Sequence, residues 1–282
     1  MHEAAELVRV IVNRTIVQER KGRGRRGYGR LLAVRLLVFA QLVGIHKDEV
    51  LERYLRENRG IARILGFKEI PDRTTIGRWK QKLAPVAKEA FEKLSTIIGM
   101  LTETELLVVD STPLEDLHDP EAEWGFYSRG AFKGFKVHIS VDQEGLPRKA
   151  LVTPGNRHDS PFLPKLIDGQ RAKHVVADAG YDAKENRRAC RRIGAKPHIA
   201  RNPRRSGKRR YTPALCKRKR YVVEQFNSRL KEMLQGCWVR FKGLARKATI
   251  VYTALIAMLA IALKALIEDR PELLRRIGAY RY

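Results

Sequence analysis

The sequence predicts an α/β protein built from a mixed sheet flanked by helices and preceded by an all-α domain. Apolar residues recur at helical spacing over residues 1–100, whereas short apolar runs alternate with turn residues from Leu106 onward. The length of 282 residues, 44% of them hydrophobic, allows one or two domains with an ample core. We therefore expect a helical domain at 1–100 and an α/β domain at 101–282.

The helical part is expected to contain several separate helices. An amphipathic stretch begins with Leu7 and Val8, an apolar helix runs from Leu31 to Val43, and another helix ends near Gly60. The run from Arg20 to Arg30 has six basic residues, four glycines and no acid, which forbids a stable helix. This run either contacts a phosphate backbone or minor groove, or is a solvated loop, and the sequence does not decide between them.

A further helix follows the turn at 70–72 and has the shape of the recognition helix of a helix-turn-helix unit. Asp72 or Thr74 can cap it, and Ile76, Trp79 and Leu83 form an apolar stripe. The cations are expected to point away from that stripe: Arg78, Lys80 and Lys82. We expect three residues to face DNA: Thr74, Thr75 and Arg78. The alternative is an ordinary surface helix of an all-α domain.

From Leu106 onward, the elements are expected in the order β-β-β-α-β-α-β-α-α. The first apolar strand ends at Asp110, and a hairpin then pairs residues 136–142 with 149–153 across a turn at 143–145. The remaining predicted elements are a helix at 162–170, a strand at 175–177, a basic helix at 184–193, a strand at 197–200 and the long C-terminal helices.

Three acids are candidates for a divalent-metal site. Asp110 and Asp178 each end a short apolar run that is typical of a buried strand. Glu224 lies four residues after Arg220 and seven before Lys231, offsets that place all three on one helical face to within roughly 40°. Hard cations such as Mg²⁺ prefer carboxylate oxygens, so this residue set predicts a metal centre that acts on a phosphodiester.

These three motifs, in this order, resemble those of the DDE transposases of prokaryotic insertion sequences, whose catalytic core is ribonuclease H-like. The matching segments are 110–112, 177–182 and 220–231, with further likeness at 134–138 and 156–160, so that the resemblance covers roughly residues 105–265. The family's third motif usually carries a tyrosine three residues before its arginine, where this chain has Lys217. The element order predicted above is the one expected of a ribonuclease H-like core.

The resemblance implies a transposase that binds the terminal inverted repeats of its element and performs metal-dependent end cleavage and strand transfer. Asp110 is then expected to bridge two Mg²⁺ ions, replaceable by Mn²⁺, while Asp178 and Glu224 each complete one. Two ions about 3.5–4 Å apart can serve both ends of an in-line displacement. The alternatives are a metal-dependent nuclease that cuts without joining, and a repurposed copy that only binds DNA.

The charge of the chain predicts a nucleic-acid partner. The net charge is +26 and the pI is about 10.4, the pattern of a polyanion-binding protein, with a membrane surface as the weaker alternative. Residues 201–220 contain ten Lys or Arg and no acid. We expect DNA contacts from this linker and from the glutamate helix: Arg204, Arg205, Arg209, Arg210, Arg220 and Lys231. The expected partners are double-stranded DNA and a second copy of the chain on paired ends, with no membrane.

The cysteines and the apolar segments predict a protein of the reducing cytoplasm, associated with the nucleoid. Three widely spaced cysteines argue against a disulfide framework, and the charged opening residues are unlike a signal peptide. The uncharged run at 248–263 is shorter than the ~20 residues of a spanning helix. We expect it to be a buried helix packed against the catalytic sheet.

Several other residues are expected to have structural roles near the site. Asp142 is predicted to be a turn residue and Asp159 a helix cap. His138 is predicted to be a structural histidine, and Trp124 and Trp238 are expected to pack in the core more often than to stack on a base.

Overall fold

The computed structural model describes residues 1–16, 28–127, 130–207 and 209–280. Residue contacts divide the chain into two compact units. The first contains residues 1–98, 230–241 and 245–282, and the second contains residues 99–229 and 242–244. The basic run predicted from Arg20 to Arg30 lies, as far as residue 27, outside the described residues.

The first unit is helical. Its N-terminal helices are α1 (His2–Thr15), α2 (Arg30–Val43), α3 (Asp48–Glu57), α4 (Arg59–Leu65), α5 (Arg73–Lys82) and α6 (Ala84–Leu101). The side chain of Asp72 accepts a hydrogen bond of 2.7 Å from the backbone N–H of Thr75, which confirms the predicted cap of α5. Ile76 and Leu83 are buried, as the predicted apolar stripe requires.

The position predicted for Lys80 is wrong. Its side chain does not point to solvent but is 5% exposed, with Nζ donating to the carbonyl of His46 at 3.1 Å and to the carboxylate of Asp48. The ammonium also lies 3.8 Å from the ring centroid of Phe241. These contacts offset the cost of burying the charge. The side chain of a residue on the border of an apolar stripe can point to solvent or to the interior. Its hydrogen-bonding partners, which are distant in sequence, decide between the two.

The long C-terminal helix also belongs to the first unit. Helix α12 (Leu244–Ile267) is long and apolar enough to cross a membrane, yet 83% of its most apolar window is buried within the protein. Tyr252 of this helix stacks on Phe91 of α6, with ring centroids 6.2 Å apart. The ring of Phe91 thus gives α12 an apolar neighbour in α6. The packing of residues 248–263 against the catalytic sheet stays a prediction.

The second unit contains the sheet. Its described strands are β1 (Leu106–Glu115), β2 (Glu123–Tyr127), β3 (Gly130–Asp142), β4 (Pro147–Pro154), β5 (His174–Ala177) and β6 (Lys196–Ile199). Strand β3 pairs antiparallel with both β4 and β1, whereas β1, β5 and β6 pair in parallel, giving the order β4-β3-β1-β5-β6. This is the ribonuclease H-like arrangement, and the predicted fold class is confirmed. Strand β2, which pairs with the start of β3, was not predicted because its five residues, three of them aromatic around a glycine, show no clear alternation of apolar and polar residues.

Helices cover both faces of this sheet. Helices α7 (Leu163–Ile167) and α8 (Lys184–Arg192) pack on one face around Val109, Val175 and Ala177. The segments that follow β6 are α9 (Pro203–Ser206), α10 (Ala214–Lys219) and α11 (Tyr221–Leu234). The thiol of Cys216 in α10 donates to the carbonyls of Ala177 and His198 at 3.1 and 3.0 Å, which fixes α10 to β5 and β6.

Gly134 lies where three strands meet. It pairs with Glu115 of β1 and with Glu123 of β2, and its carbonyl accepts from the N–H of Gly155 at 2.9 Å. A Cβ atom at this position would lie 2.2 Å from the carbonyl oxygen of Leu114. Such a distance is far inside van der Waals contact, so only glycine allows the strands to approach this closely.

We predict that Gly134→Ala destabilises the protein by about 1–3 kcal/mol or prevents folding, because the backbone of β1 must move to admit the methyl group. Urea unfolding followed by circular dichroism measures this. Gly278→Ala is the matched control, since a Cβ there meets no atom within 4 Å. Equal unfolding midpoints for the two variants would contradict the prediction.

Candidate active site

Asp110 and Asp178 lie side by side because their strands are adjacent. Strands β1 and β5 run parallel with Val109 opposite Ala177, so the next residue on each chain segment is one of the two acids. Asp110 lies within β1, and Asp178 follows the end of β5 in an extended conformation. One carboxylate oxygen of Asp178 accepts from the N–H of Gly180 at 2.8 Å. The topology thus brings two of the three predicted acids together.

The two carboxyls are electrostatically strained. Burial, together with the negative charges of Asp178 and Asp159, raises the pKa of Asp110 to about 7, although Arg220 and a backbone hydrogen bond oppose this. Burial likewise raises the pKa of Asp178, against the opposing effects of Arg220 and the Gly180 N–H. Two neighbouring desolvated carboxyls favour a bound cation, because a cation relieves both burial and mutual repulsion.

The third acid, Glu224, lies on helix α11. Its side chain is 59% exposed, and its carboxylate lies 3.4 Å from the guanidinium of Arg220. Asn227, three residues later on the same helix, donates from Nδ2 to Asp110 at 3.3 Å. Positions three apart on a helix are neighbours, so Glu224 lies one turn from the residue that touches Asp110. Within the part of the chain that the structure describes, no group of three Asp, Glu, His or Cys side chains is close enough to hold a metal.

Hard oxygen donors are nevertheless available around Asp110. The side-chain oxygen Oδ1 of Asn227 is buried and has no hydrogen-bond partner among the described residues. A buried amide oxygen without a donor carries a desolvation cost that a cation can relieve. This oxygen, together with the carboxylates of Asp110 and Asp178, has the chemistry that Mg²⁺ or Mn²⁺ prefers. The residues therefore fit a divalent metal.

Asp159 is part of the site surroundings and not a helix cap. Within the described residues its side chain makes no cap hydrogen bond, although it precedes a short 3-10 helix. One carboxylate oxygen instead lies 3.2 Å from Nζ of Lys136 and 3.5 Å from Nδ1 of His138. The predicted cap is therefore wrong. The resemblance at 156–160 pointed to a part in the site. The negative charge of Asp159 raises the pKa of both Asp110 and Asp178.

The structural roles predicted for two other residues are confirmed. His138 is fully buried, bonds Thr153 through Nε2 at 2.9 Å and stacks on Phe162, and burial lowers its pKa to about 4, so that it is neutral at pH 7. Asp142 accepts from the N–H groups of Glu144 and Leu146 at 2.9 Å each and closes the β3–β4 turn. By contrast, Trp124 is exposed, so core packing was the wrong expectation for it.

The residues predicted to contact DNA are found in several elements. Arg204, Arg209 and Arg210 are exposed on the segment after β6, and Arg205 lies in α9. Thr74 and Arg78 are exposed on α5, whereas the hydroxyl of Thr75 donates to Asp72 at 3.2 Å. Lys231 follows Glu224 by about two turns of α11. Asn227 was missed by the sequence analysis, although its spacing of three from Glu224 was a usable signal.

Comparison with known proteins gives consistent matches. Residues 101–260, more than half of the chain, match the family model described as "Transposase DDE domain", and residues 2–82 match "Transposase domain (DUF772)". The chain is 33% identical over 136 residues to the "Transposase for insertion sequence element IS1106" of Neisseria meningitidis serogroup B. That match covers 45% of this chain and 46% of the relative, so it spans about half of the relative's length. The cryo-EM structure of the piggyBac transposase synaptic complex with hairpin DNA has a TM-score of 0.48 and 9% identity, over 98% of this chain and 76% of that one.

The raised pKa of Asp110 predicts how the metal-free protein responds to pH. An aspartate whose pKa is about 7 in the folded state and about 3.8 in the unfolded state stabilises the fold fully below pH 4. This contribution is lost as the pH rises to 7, so the free energy of unfolding of wild-type protein in EDTA should fall over that range. Asp110→Asn should weaken less and be more stable at pH 8, by on the order of 2 kcal/mol, since one pKa unit corresponds to about 1.4 kcal/mol.

Thermal unfolding in EDTA from pH 4 to 8 measures this difference. The exposed Asp168 provides the control, because Asp168→Asn should follow the wild-type curve. If the unfolding temperatures of Asp110→Asn and of wild type depended on pH in the same way, the electrostatic strain at Asp110 would be refuted.

Proposed function

Because the chain belongs to the DDE transposase family, we propose that it is the transposase of an insertion sequence. It binds the terminal inverted repeats, cleaves the element ends and joins them to target DNA. The observation that carries this proposal is the adjacency of Asp110 and Asp178 at neighbouring strands, next to the helix that carries Glu224. The acid within β1, the acid after β5 and the acid on α11 follow one another along the chain in the order of the family's three motifs.

Three residues would hold the metal: Asp110, Asp178 and Glu224. When bound there, two Mg²⁺ or Mn²⁺ ions would activate the nucleophile and stabilise the leaving oxygen of an in-line displacement. Asp110 neighbours Asp178 through the pairing of β1 with β5 and contacts Asn227 of the helix that carries Glu224, so we propose it as the ligand that two ions would share. The exposed side chain of Glu224 can rotate from Arg220 towards the side of Asn227, which already touches Asp110.

Arg220 is proposed to change partners when DNA arrives. Its positive charge lowers the pKa of Asp110 and Asp178, and its guanidinium lies 3.4 Å from Glu224. Once cations neutralise the acids, Arg220 is free to bind a phosphate next to the scissile bond, for which a guanidinium has suitable geometry. Lys231 is proposed to bind a further phosphate from the same helix.

The DNA partner is proposed to be a duplex that is held by cations of the segment after β6 and read by α5. Arg204, Arg209 and Arg210 are exposed for phosphate contacts, and Thr74 and Arg78 are exposed on α5 for base or phosphate contacts. We propose that Arg205 and Thr75 also take part. Two copies of the chain would pair two element ends, and the reaction would take place in the cytoplasm on nucleoid DNA.

We predict that alanine at Asp110, Asp178 or Glu224 abolishes Mg²⁺- or Mn²⁺-dependent cleavage, because each position supplies a carboxylate to the metal. DNA affinity should remain nearly unchanged, since none of these acids contacts phosphate directly. Gel assays of cleavage and anisotropy of binding give the two readings. Asp168→Ala is the control and should cleave normally. A variant at one of the three acids that cleaves at the wild-type rate removes that residue from the metal site.

We predict that purified protein joins a pre-cut 3′ end of its own inverted repeat to target DNA. The freed 3′ hydroxyl then acts as nucleophile at the site where water acts during cleavage, so joining separates a transposase from a nuclease. Sequence-independent cutting without joined product would favour a nuclease. Binding without any cutting in Mn²⁺ would favour a repurposed DNA-binding protein.

A further inference from the structure

A cleft of about 1140 Å³ lies in the second unit, between the last two strands and the segment that follows them. Its floor includes His174 of β5 and Lys196 and His198 of β6. Its opposite wall includes Arg201, Tyr211 and Arg218. None of these six residues belongs to the metal site or to the DNA contacts proposed above.

Part of the cleft, at His174 and His198, shares a face of the sheet with the catalytic acids, whereas Lys184 and Arg187 of α8 line it from the other face. Side chains alternate along a strand, so His174, Val176 and Asp178 point to one side, while Val175 and Ala177 pack with α7 and α8 on the other. A strand of DNA that passes the acids therefore has this cleft next to it along β5.

The wall of the cleft is a fixed part of the fold. The N–H of Arg201 donates to the carbonyl of Tyr211 at 2.7 Å, which closes the segment between them into a loop. Helix α10 is attached by the thiol of Cys216 to the carbonyls of Ala177 and His198. The cleft is thus held open by backbone contacts at both of its ends.

The lining is strongly basic. Five of the lining residues are Lys or Arg, and Asp182 is the one acid among the lining residues that the structure describes. Both carboxylate oxygens of Asp182 are already occupied, by Arg187 at 2.7 Å and by the N–H of Asn202 at 2.8 Å. An anion in the cleft therefore meets cations whose charge exceeds that of the single, already paired carboxylate.

An aromatic ring accompanies these cations. Tyr211 is 57% exposed, and the guanidinium of Arg201 lies 5.8 Å from its ring centroid. Grooves that combine cations for the backbone with an accessible aromatic ring for the bases are typical of single-strand binding, because every base has a face that can stack.

We propose that this cleft binds a single strand of DNA, with its phosphates on Lys196, Arg201 and Arg218 and a base stacked on Tyr211. The inference rests on the proposed function in taking DNA as the ligand. The cleft would be a binding site for a DNA strand that has separated from its complement next to the cleaved bond. Duplex recognition stays with the exposed residues assigned above.

Binding of a fluorescein-labelled dT12 oligonucleotide to the full chain in EDTA tests the proposal without cleavage. Tyr211→Ala should weaken binding by roughly tenfold, the usual effect of losing one stacked base, whereas Tyr211→Phe should bind as wild type does because the ring remains. Lys196→Ala should reduce the slope of log affinity against log salt by about 0.7, the value for one phosphate contact on a single strand.

Lys165→Ala is the matched control, because Lys165 is an exposed lysine on α7, outside the cleft. Wild-type affinity for dT12 in both Tyr211→Ala and Lys196→Ala would overturn the proposal, as would an equal loss in Lys165→Ala. An equal loss of affinity for the duplex repeat in Tyr211→Ala would overturn its restriction to single strands. If the protein binds dT12 through the cleft but neither cuts nor joins repeat ends, the proposed transposase activity is refuted. The single-strand site in the cleft is then still supported.

Discussion

The parallel pairing of β1 with β5 is the constraint on which the rest of the site depends. It places Asp110 beside Asp178, where burial raises the pKa of both carboxyls and the charge of Asp178 raises that of Asp110 further. A fold arranged only for stability would not place two acids there. The sheet therefore stores unfavourable electrostatic energy that a divalent cation would release.

Arg220 is the shared counter-charge of this arrangement. It is the largest effect opposing burial at Asp178, and it also reaches Glu224 at 3.4 Å. A guanidinium in this position lowers the electrostatic cost of the ionised acids while no metal is bound. In the proposed reaction it would also compete with a metal ion for Glu224, so metal binding and release of Arg220 would be coupled. Asn227 holds α11 to Asp110 at 3.3 Å, so the helix stays in register during that exchange.

The strands and their acids could be predicted from sequence because they are local signals. A run such as Leu106–Val109 indicates a buried strand and the acid that follows the run. The predicted end of that strand at Asp110 is wrong, because pairing with β3 continues β1 to Glu115. The Asp142 turn depends on neighbours within four residues. The placement of α12, the burial of Lys80 and the pairing of Asp159 with Lys136 depend on residues more than twenty positions away. Sequence periodicity carries no information on such partners. The contact of Glu224 with Arg220 is different, because residues four apart share a helical face and their contact could be predicted from the spacing.

The charge of the segment after β6 links folding to DNA binding. Residues 201–220 contain ten cations and no acid, and the like charges repel one another. Among the described residues, the contacts of Arg201 with Tyr211 and of Cys216 with β5 hold the segment in place. A ligand that binds the folded segment better than the unfolded one stabilises it by mass action. A polyanion is such a ligand, since it removes the repulsion that the segment suffers alone. Under the proposed function, DNA bound to these cations would therefore stabilise the folded segment that forms one wall of the cleft.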